Sequence, residues 1–297
     1  MGPITQKLEI DFYNSPYLAE NWDLVSESTA GYDSDVIFYW DELLRVKGLR
    51  DSYGDPREPL VVVDVGTGTG RVLKGLDRYA KQHNVILTGT EFIGIDISQA
   101  MLDRAVDTAR LSQIGRVSWK CGSALELPRI LESSGKSYKV DFLFSAVNSI
   151  GHLINPGELE LFFHDVADLL QPRTGRACIS IWKPYLLPTD DEEAKTYYDN
   201  VDGPPMVLDS KQFPGVFYRN EYRGEEILND TILSKTDVHV LHKREGGREE
   251  LIESNPTVLK VKIIREPTLI RIIEVSGLEV LNKETTAMDV IFTLGLK

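Results

Sequence analysis

Three groups of residues have the types and spacing to do chemistry. Asp64, Gly66, Gly68 and Gly70 come first, between the apolar run 61–65 and the helical spacing of Val72, Leu73 and Leu76. Glycine there permits positive φ and lets the backbone approach a ligand closely. A helix that starts just beyond presents free N–H groups to an anion. The second is Asp96, near the end of the apolar run 91–97 and followed by Ser98, which caps a helix opening at Gln99. An acid at the carboxyl end of the second strand binds a ribose diol through both oxygens. Nicotinamide folds use the same device, so Asp96 alone does not choose the cofactor. The third is His152, in the glycine-containing stretch 148–153. Histidine has the unperturbed pKa that suits proton transfer near neutrality. A glycine turn also serves plain strand–helix packing, and a loop histidine also serves as a helix cap.

The elements that must position these residues follow from hydrophobic periodicity. Strands at 61–65, 91–97, 117–121, 140–145 and 177–181 alternate with helices, the last helix running 156–170. That alternation predicts an α/β, doubly wound, Rossmann-like parallel sheet with helices on both faces. In such a sheet ligands bind at the carboxyl ends of the strands, which puts the loop after the fourth strand beside the reacting centre. Between 185 and 257 the alternation stops. Strands at 215–222, 227–235 and 237–243, and a further one at 258–264, predict an inserted antiparallel β-sheet subdomain. A helix at 268–276, Gly277 as its C-cap, and strands at 278–282 and 290–296 close the chain. Residues 8–50 are aromatic-rich, with a helix at 36–46 capped by Ser34 or Asp35 and burying Ile37, Trp40, Leu43 and Leu44; residues 48–59 read as a polar loop. The resulting organisation is a helical lid at 1–50, a ligand-binding domain at 51–184 and 258–297, and the insertion at 185–257.

Length and composition suit a globular protein: 297 residues, 42% hydrophobic, 27% charged. A net charge of −13 repels phosphate backbones, so no nucleic-acid partner is expected. Cys121 and Cys178 lie in apolar strand contexts and read as reduced core residues, with no disulfide framework. No metal-binding cluster is visible. His83 and His164 read as surface residues, and His239 and His242 as pointing to opposite faces of a strand. No apolar run reaches a membrane span, and the N-terminus has no secretory pattern, so a cytoplasmic protein is expected.

The combination DVGTGTG with GIDIS-x-x-MLDRA resembles the class I S-adenosylmethionine-dependent methyltransferases, with Asp64, Gly66, Gly68, Gly70, Asp96 and Met101 matching position by position. The resemblance implies S-adenosylmethionine as cofactor, its ribose on Asp96 and its adenine against Met101. It also places Ile97, Ala124, Leu125 and Ser145 in the cofactor cleft. Ser123 stands where the family usually has an acid facing the adenine amino group. The fourth strand, SxxNSIGHL loop, fifth strand ending in Trp-x-Pro and antiparallel insertion are similar to small-molecule methyltransferases of natural-product tailoring, including macrolide sugar N-methyltransferases and fungal alkaloid O-methyltransferases. That implies an acceptor pocket with His152 as base, Tyr13 and Tyr17 as rival partners, and Asn148, Trp182 and Trp22 as acceptor contacts. The expected reaction is methylation of an oxygen of a small secondary metabolite, an indole alkaloid being the specific guess. The alternatives are N-methylation of a small amine or amino sugar, a non-methylating rearrangement, and a non-catalytic partner role. A nucleic-acid amino-methylating enzyme would carry an Asn/Asp-Pro-Pro-aromatic run where this chain has Ser145-Ala146-Val147-Asn148. The insertion is expected to roof the acceptor pocket or to make a homodimer contact.

Overall fold

The computed structural model describes residues 15–31, 33–53, 59–109, 111–132, 139–196 and 203–297. The chain enters through α1 (Pro16–Ser28) and α2 (Val36–Ser52). The alternating unit then runs β1 (Leu60–Val65), α3 (Arg71–Gln82), β2 (Leu87–Asp96), α4 (Gln99–Thr108), β3 (Ile114–Cys121), α5 (Leu127–Leu131), β4 (Phe142–Ser145), α6 (Glu158–Leu169) and β5 (Arg176–Trp182). Every residue of β1 and β4 is buried, as an unbroken apolar run requires when helices cover both faces.

The short strands β6 (Leu186–Leu187) and β11 (Ile264–Arg265) pair in parallel. Between them lie β7 (Met206–Asp209), β8 (Val216–Leu228), β9 (Thr231–Lys243) and β10 (Glu249–Lys262). After β11 come α7 (Glu266–Val275), β12 (Leu278–Thr285) and β13 (Asp289–Leu296). The main sheet has the order β12-β13-β5-β4-β1-β2-β3; β1 to β5 are parallel and the β12–β13 edge is antiparallel. One face packs on Phe38, Trp40 and Leu43 of α2 and on Leu73 and Leu76 of α3. The other packs on Phe162 and Phe163 of α6 and on Leu269 and Ile273 of α7. A separate antiparallel sheet has the order β10-β9-β8-β7. No helix of the described residues is long and apolar enough to cross a membrane.

Five sequence expectations are corrected. Helix α2 runs on to Ser52, beyond the expected end at Val46. Its last turn is held inside by buried Arg50, which pairs at 3.5 Å with buried Asp141. Ile37 is 48% exposed, while Phe38 and Tyr39 are buried beside Trp40 and Leu43. Asp35 makes no cap: both its oxygens are taken by the Arg71 guanidinium, at 2.7 and 2.6 Å. The turn between β8 and β9 falls at Asn229-Asp230, not at Thr236. Both residues are left-handed (φ 50° and 57°), as a two-residue hairpin turn matching strand twist demands. Strand β10 is also continuous across 257 and 258, so the antiparallel sheet ends five residues beyond the expected boundary. The N-terminal part of the expected lid, residues 1–14, lies outside the described residues.

The Arg50–Asp141 pair is inaccessible, and Asp141 also accepts the Val61 N–H at 2.9 Å. Removing one partner of a buried pair costs about 3–5 kcal/mol. Arg50→Leu is expected to lose stability on that scale in a urea titration; a shift in midpoint within error would mean the pair is relaxed by solvent.

Candidate active site at the carboxyl ends of the strands

Strand β1 delivers the chain into a turn of three left-handed glycines, Gly66 (φ 74°), Gly68 (φ 55°) and Gly70 (φ 80°). The Gly66 and Thr67 N–H groups donate to the Ile95 carbonyl at 2.8 and 2.9 Å, which fastens the turn to β2. The three glycines do different jobs. A Cβ on Gly66 would sit 2.6 Å from Ser149, and one on Gly70 2.7 Å from the Trp119 ring, whereas one on Gly68 meets nothing within 4 Å. Gly66 therefore permits close approach of the loop after β4, Gly70 permits packing, and Gly68 keeps open space. Asp64 is buried beneath the turn and accepts the Thr67 hydroxyl at 2.6 Å. Burial pushes its carboxyl up to about 7. Asp96 accepts the Gly68 N–H at 2.8 Å through one oxygen and the Ser98 N–H at 2.9 Å through the other. Burial raises its pKa, opposed by those two bonds and the Ile97 N–H.

On the β2–β3 side, Ile97 is 68% exposed whereas Met101 is 4% exposed. The apolar surface offered at this corner is thus that of Ile97, and Met101 packs inward from α4. Ser123 caps the turn that follows β3, accepting the Leu125 N–H at 3.2 Å, with Ala124 and Leu125 half-buried against the core. Cys121 corrects an expectation: it is exposed, its thiol 3.5 Å from the Ile97 carbonyl. It is the last residue of an edge strand, where only one neighbour covers it. Cys178 is buried, as expected.

The loop after β4 carries residues that the sequence places on the acceptor side. Ser145 is fully buried and its hydroxyl has no hydrogen-bond partner among the described residues. Val147 and Asn148 are left-handed (φ 48° and 58°). Asn148 is buried and its side-chain oxygen accepts the Trp182 N–H at 3.4 Å, clipping the ends of β4 and β5 together. Ser149 donates to the Ala146 carbonyl at 2.8 Å and lies 3.4 Å from the Gly66 carbonyl, so this loop and the glycine turn touch. His152 is exposed, with Nδ1 3.0 Å from the Lys260 carbonyl of β10. A carbonyl only accepts, so Nδ1 carries the proton and Nε2 is the basic nitrogen of the neutral ring. Trp182 is half-buried, its ring 5.7 Å from that of Tyr185. Tyr17 packs against Phe213, ring centroids 4.5 Å apart and tilted by 52°, in the cluster that joins α1 to the antiparallel sheet. Trp22 is half-buried on α1, and Tyr13 lies outside the described residues.

The structure thus brings together the glycine turn, Asp96, Ile97 and the loop 146–152. Several residues around the site had no sequence signature. Asp23 of α1 accepts the Thr69 hydroxyl between Gly68 and Gly70. Buried Asp289 opens β13 at the carboxyl end of β5, and burial pushes its carboxyl up to about 6. The fully buried Tyr39 hydroxyl has no partner among the described residues. On the antiparallel sheet, Glu221, Asp237 and His239 bring donor atoms within 4.8 Å of one another, a cross-strand group invisible to spacing. Arg223 spans both of its carboxylates at 2.6 and 2.7 Å.

Two predictions follow from this geometry. Gly66→Ala meets both a left-handed φ and the Ser149 side chain, so cofactor binding by calorimetry is expected to vanish or fall at least about tenfold, strain of 1–3 kcal/mol being typical. Asp64 and Asp289 hold their protons to higher pH in the fold than in the unfolded chain. Their contribution is fully present below the unfolded value of about 4 and is lost as pH rises through about 6 and 7. The folded state binds more protons in that window, so stability falls as pH rises. Asp64→Asn is expected to flatten the stability–pH curve there; an unchanged slope would place the titration elsewhere.

A family model described as a methyltransferase domain matches residues 62–173, from β1 to the turn before β5. The N-methyltransferase FrzE of Cladobotryum sp is 30% identical over 285 residues, covering 96% of each chain. An S-adenosylmethionine-dependent methyltransferase of Clostridium acetobutylicum shares the fold with a TM-score of 0.58, at 16% identity over 94% of this chain and 98% of that one. The sugar N-methyltransferase KedS8 of Streptoalloteichus sp does so with a TM-score of 0.51, at 16% identity over 88% of each chain. The residues present fit S-adenosylmethionine: the open space at Gly68, on the turn after β1, and the carboxylate of Asp96, at the end of β2, lie side by side, joined by one hydrogen bond. The chain belongs to the class I S-adenosylmethionine-dependent methyltransferases.

Proposed function

We propose that this enzyme methylates a nitrogen of a small natural-product amine, with His152 as the base that frees the nitrogen lone pair. The similarity to an N-methyltransferase over 96% of both chains carries the reading, in preference to the oxygen acceptor favoured by the sequence. S-adenosylmethionine supplies an electrophilic methyl group on a sulfonium. The turn 66–70 and Asp96 hold it, with Ile97 against its base. An alkylammonium is not a nucleophile and has a pKa near that of lysine, about 10. It must lose a proton before transfer, and Nε2 is the basic nitrogen of His152 because Nδ1 donates to the Lys260 carbonyl. The antiparallel sheet roofs this side of the cleft. Lys262 of β10 also donates to the Ile154 carbonyl, at 3.3 Å, so β10 grips the loop at two points. Positioning does the remainder, since transfer needs donor and acceptor in line at near-attack distance.

The experiment uses donor labelled in the methyl group against a panel of primary and secondary amines and phenols. Label is expected on nitrogen. His152→Ala is expected to lower kcat by about 10²–10⁴-fold with cofactor affinity kept. Label on oxygen alone would overturn the acceptor, and wild-type turnover by the variant would overturn the base.

A further inference from the structure

Helix α1 joins the cofactor turn to the antiparallel sheet through a closed circuit of side chains. Asp23 accepts the Thr69 hydroxyl at 2.5 Å and, through its other oxygen, the Arg104 Nε–H at 2.5 Å. Both Asp23 and Arg104 are largely buried. Arg104, three residues beyond Met101 on α4, also donates to the side-chain oxygen of Gln212 at 2.5 Å. Gln212 returns to α1: its N–H donates to Glu20, one helical turn from Asp23, at 2.8 Å. Glu20 is fully buried and takes three further donors, the Lys211 N–H (2.9 Å), the Ser210 hydroxyl (2.5 Å) and the Tyr218 hydroxyl (2.6 Å). Asn21 and Asn220 exchange amide hydrogen bonds at 2.8 and 3.0 Å alongside.

We infer that Asp23 is a positioning residue: through Thr69, Arg104 and Gln212 it makes occupancy of the cofactor turn fix α1 and segment 210–213 of the acceptor-side sheet. The reason is the branch at Thr69. That residue sits between two left-handed glycines, and its side chain is tied to a helix 46 residues away. Holding the turn therefore holds Asp23, and a carboxylate shared by a hydroxyl and a guanidinium transmits the restraint to Arg104. Such bonds to charged groups are the strong ones. The device acts before chemistry and holds whichever atom is methylated.

The test uses S-adenosylhomocysteine as probe and reads hydrogen exchange along the full chain. In the wild type it is expected to slow exchange at 66–70, in α1 and at 210–213. Asp23→Ala is expected to bind the probe about tenfold more weakly and to confine protection to 66–70 and α4. Gln212→Ala, at an exposed position, keeps the Thr69–Asp23 bond and its own N–H bond to Glu20, and is expected to lose only the part of the protection at 210–213 that passes through Arg104. It keeps the idea falsifiable if Asp23→Ala does not fold. Thr69→Val added to Asp23→Ala is expected to weaken binding no further than Asp23→Ala alone, as residues acting through one contact do. Protection at 210–213 that is absent in the wild type, or that survives undiminished in both the Asp23 and Gln212 variants, overturns the inference, as do additive losses.

Discussion

The turn from β1 into α3 constrains everything near it. Three left-handed residues in five leave a backbone that cannot satisfy its own N–H groups by regular structure. The Ile95 carbonyl takes two of them and Asp96 a third. Strand β2 must therefore lie beside β1 in register, with Val65 opposite Ile95, before the site can exist. The loop after β4 then closes on Gly66, which has room for it only because it lacks a Cβ. A cofactor cleft, a loop carrying His152 and a helix N-terminus thus share one backbone requirement.

The acidic surplus is used in the same way. Several buried or half-buried carboxylates act as acceptors for backbone N–H groups that no sheet or helix satisfies. Asp141 holds the entry to β1, Glu20 holds 211–212, and Asp77 of α3 accepts three successive N–H groups of the loop into β3, at 2.9, 2.6 and 3.1 Å. A charged acceptor makes a stronger bond than a neutral one, which offsets the cost of burying it. Where such donors are few, as at Asp64 and Asp289, the carboxyl instead keeps its proton into the neutral range. The negative charge of −13 is therefore partly structural, beyond any role in solubility.

The proposed acceptor side depends on two contacts between remote parts of the chain. The Lys260 carbonyl orients the His152 ring and so decides which nitrogen is basic. Glu20 and Asp23 seat α1 on the antiparallel sheet and on the cofactor turn at once. Rigid elements carrying a site place its groups better than loops alone. Here the loops after β1 and β4 borrow that rigidity from α1 and β10.

The sequence by itself determined the layered α/β sheet, the turn at 66–70, the acid after β2 and the antiparallel insertion. Each is written in local periodicity, in glycine or in a strand-end residue, and burial follows periodicity because every strand must cover both faces. Element ends were less legible. Helix α2 reaches Ser52 because Arg50 finds Asp141, and the β8–β9 turn sits at two left-handed residues without a glycine. Only the tertiary structure decided what the side chains do at the site. Met101 faces inward and Ile97 outward, Cys121 ends on an open edge, and Tyr17 packs on Phe213. The bonds from Asp23 to Thr69 and from Ser210 to Glu20 span 46 and 190 residues. Contacts of that range leave no periodic trace, since they arise only when independently formed elements meet.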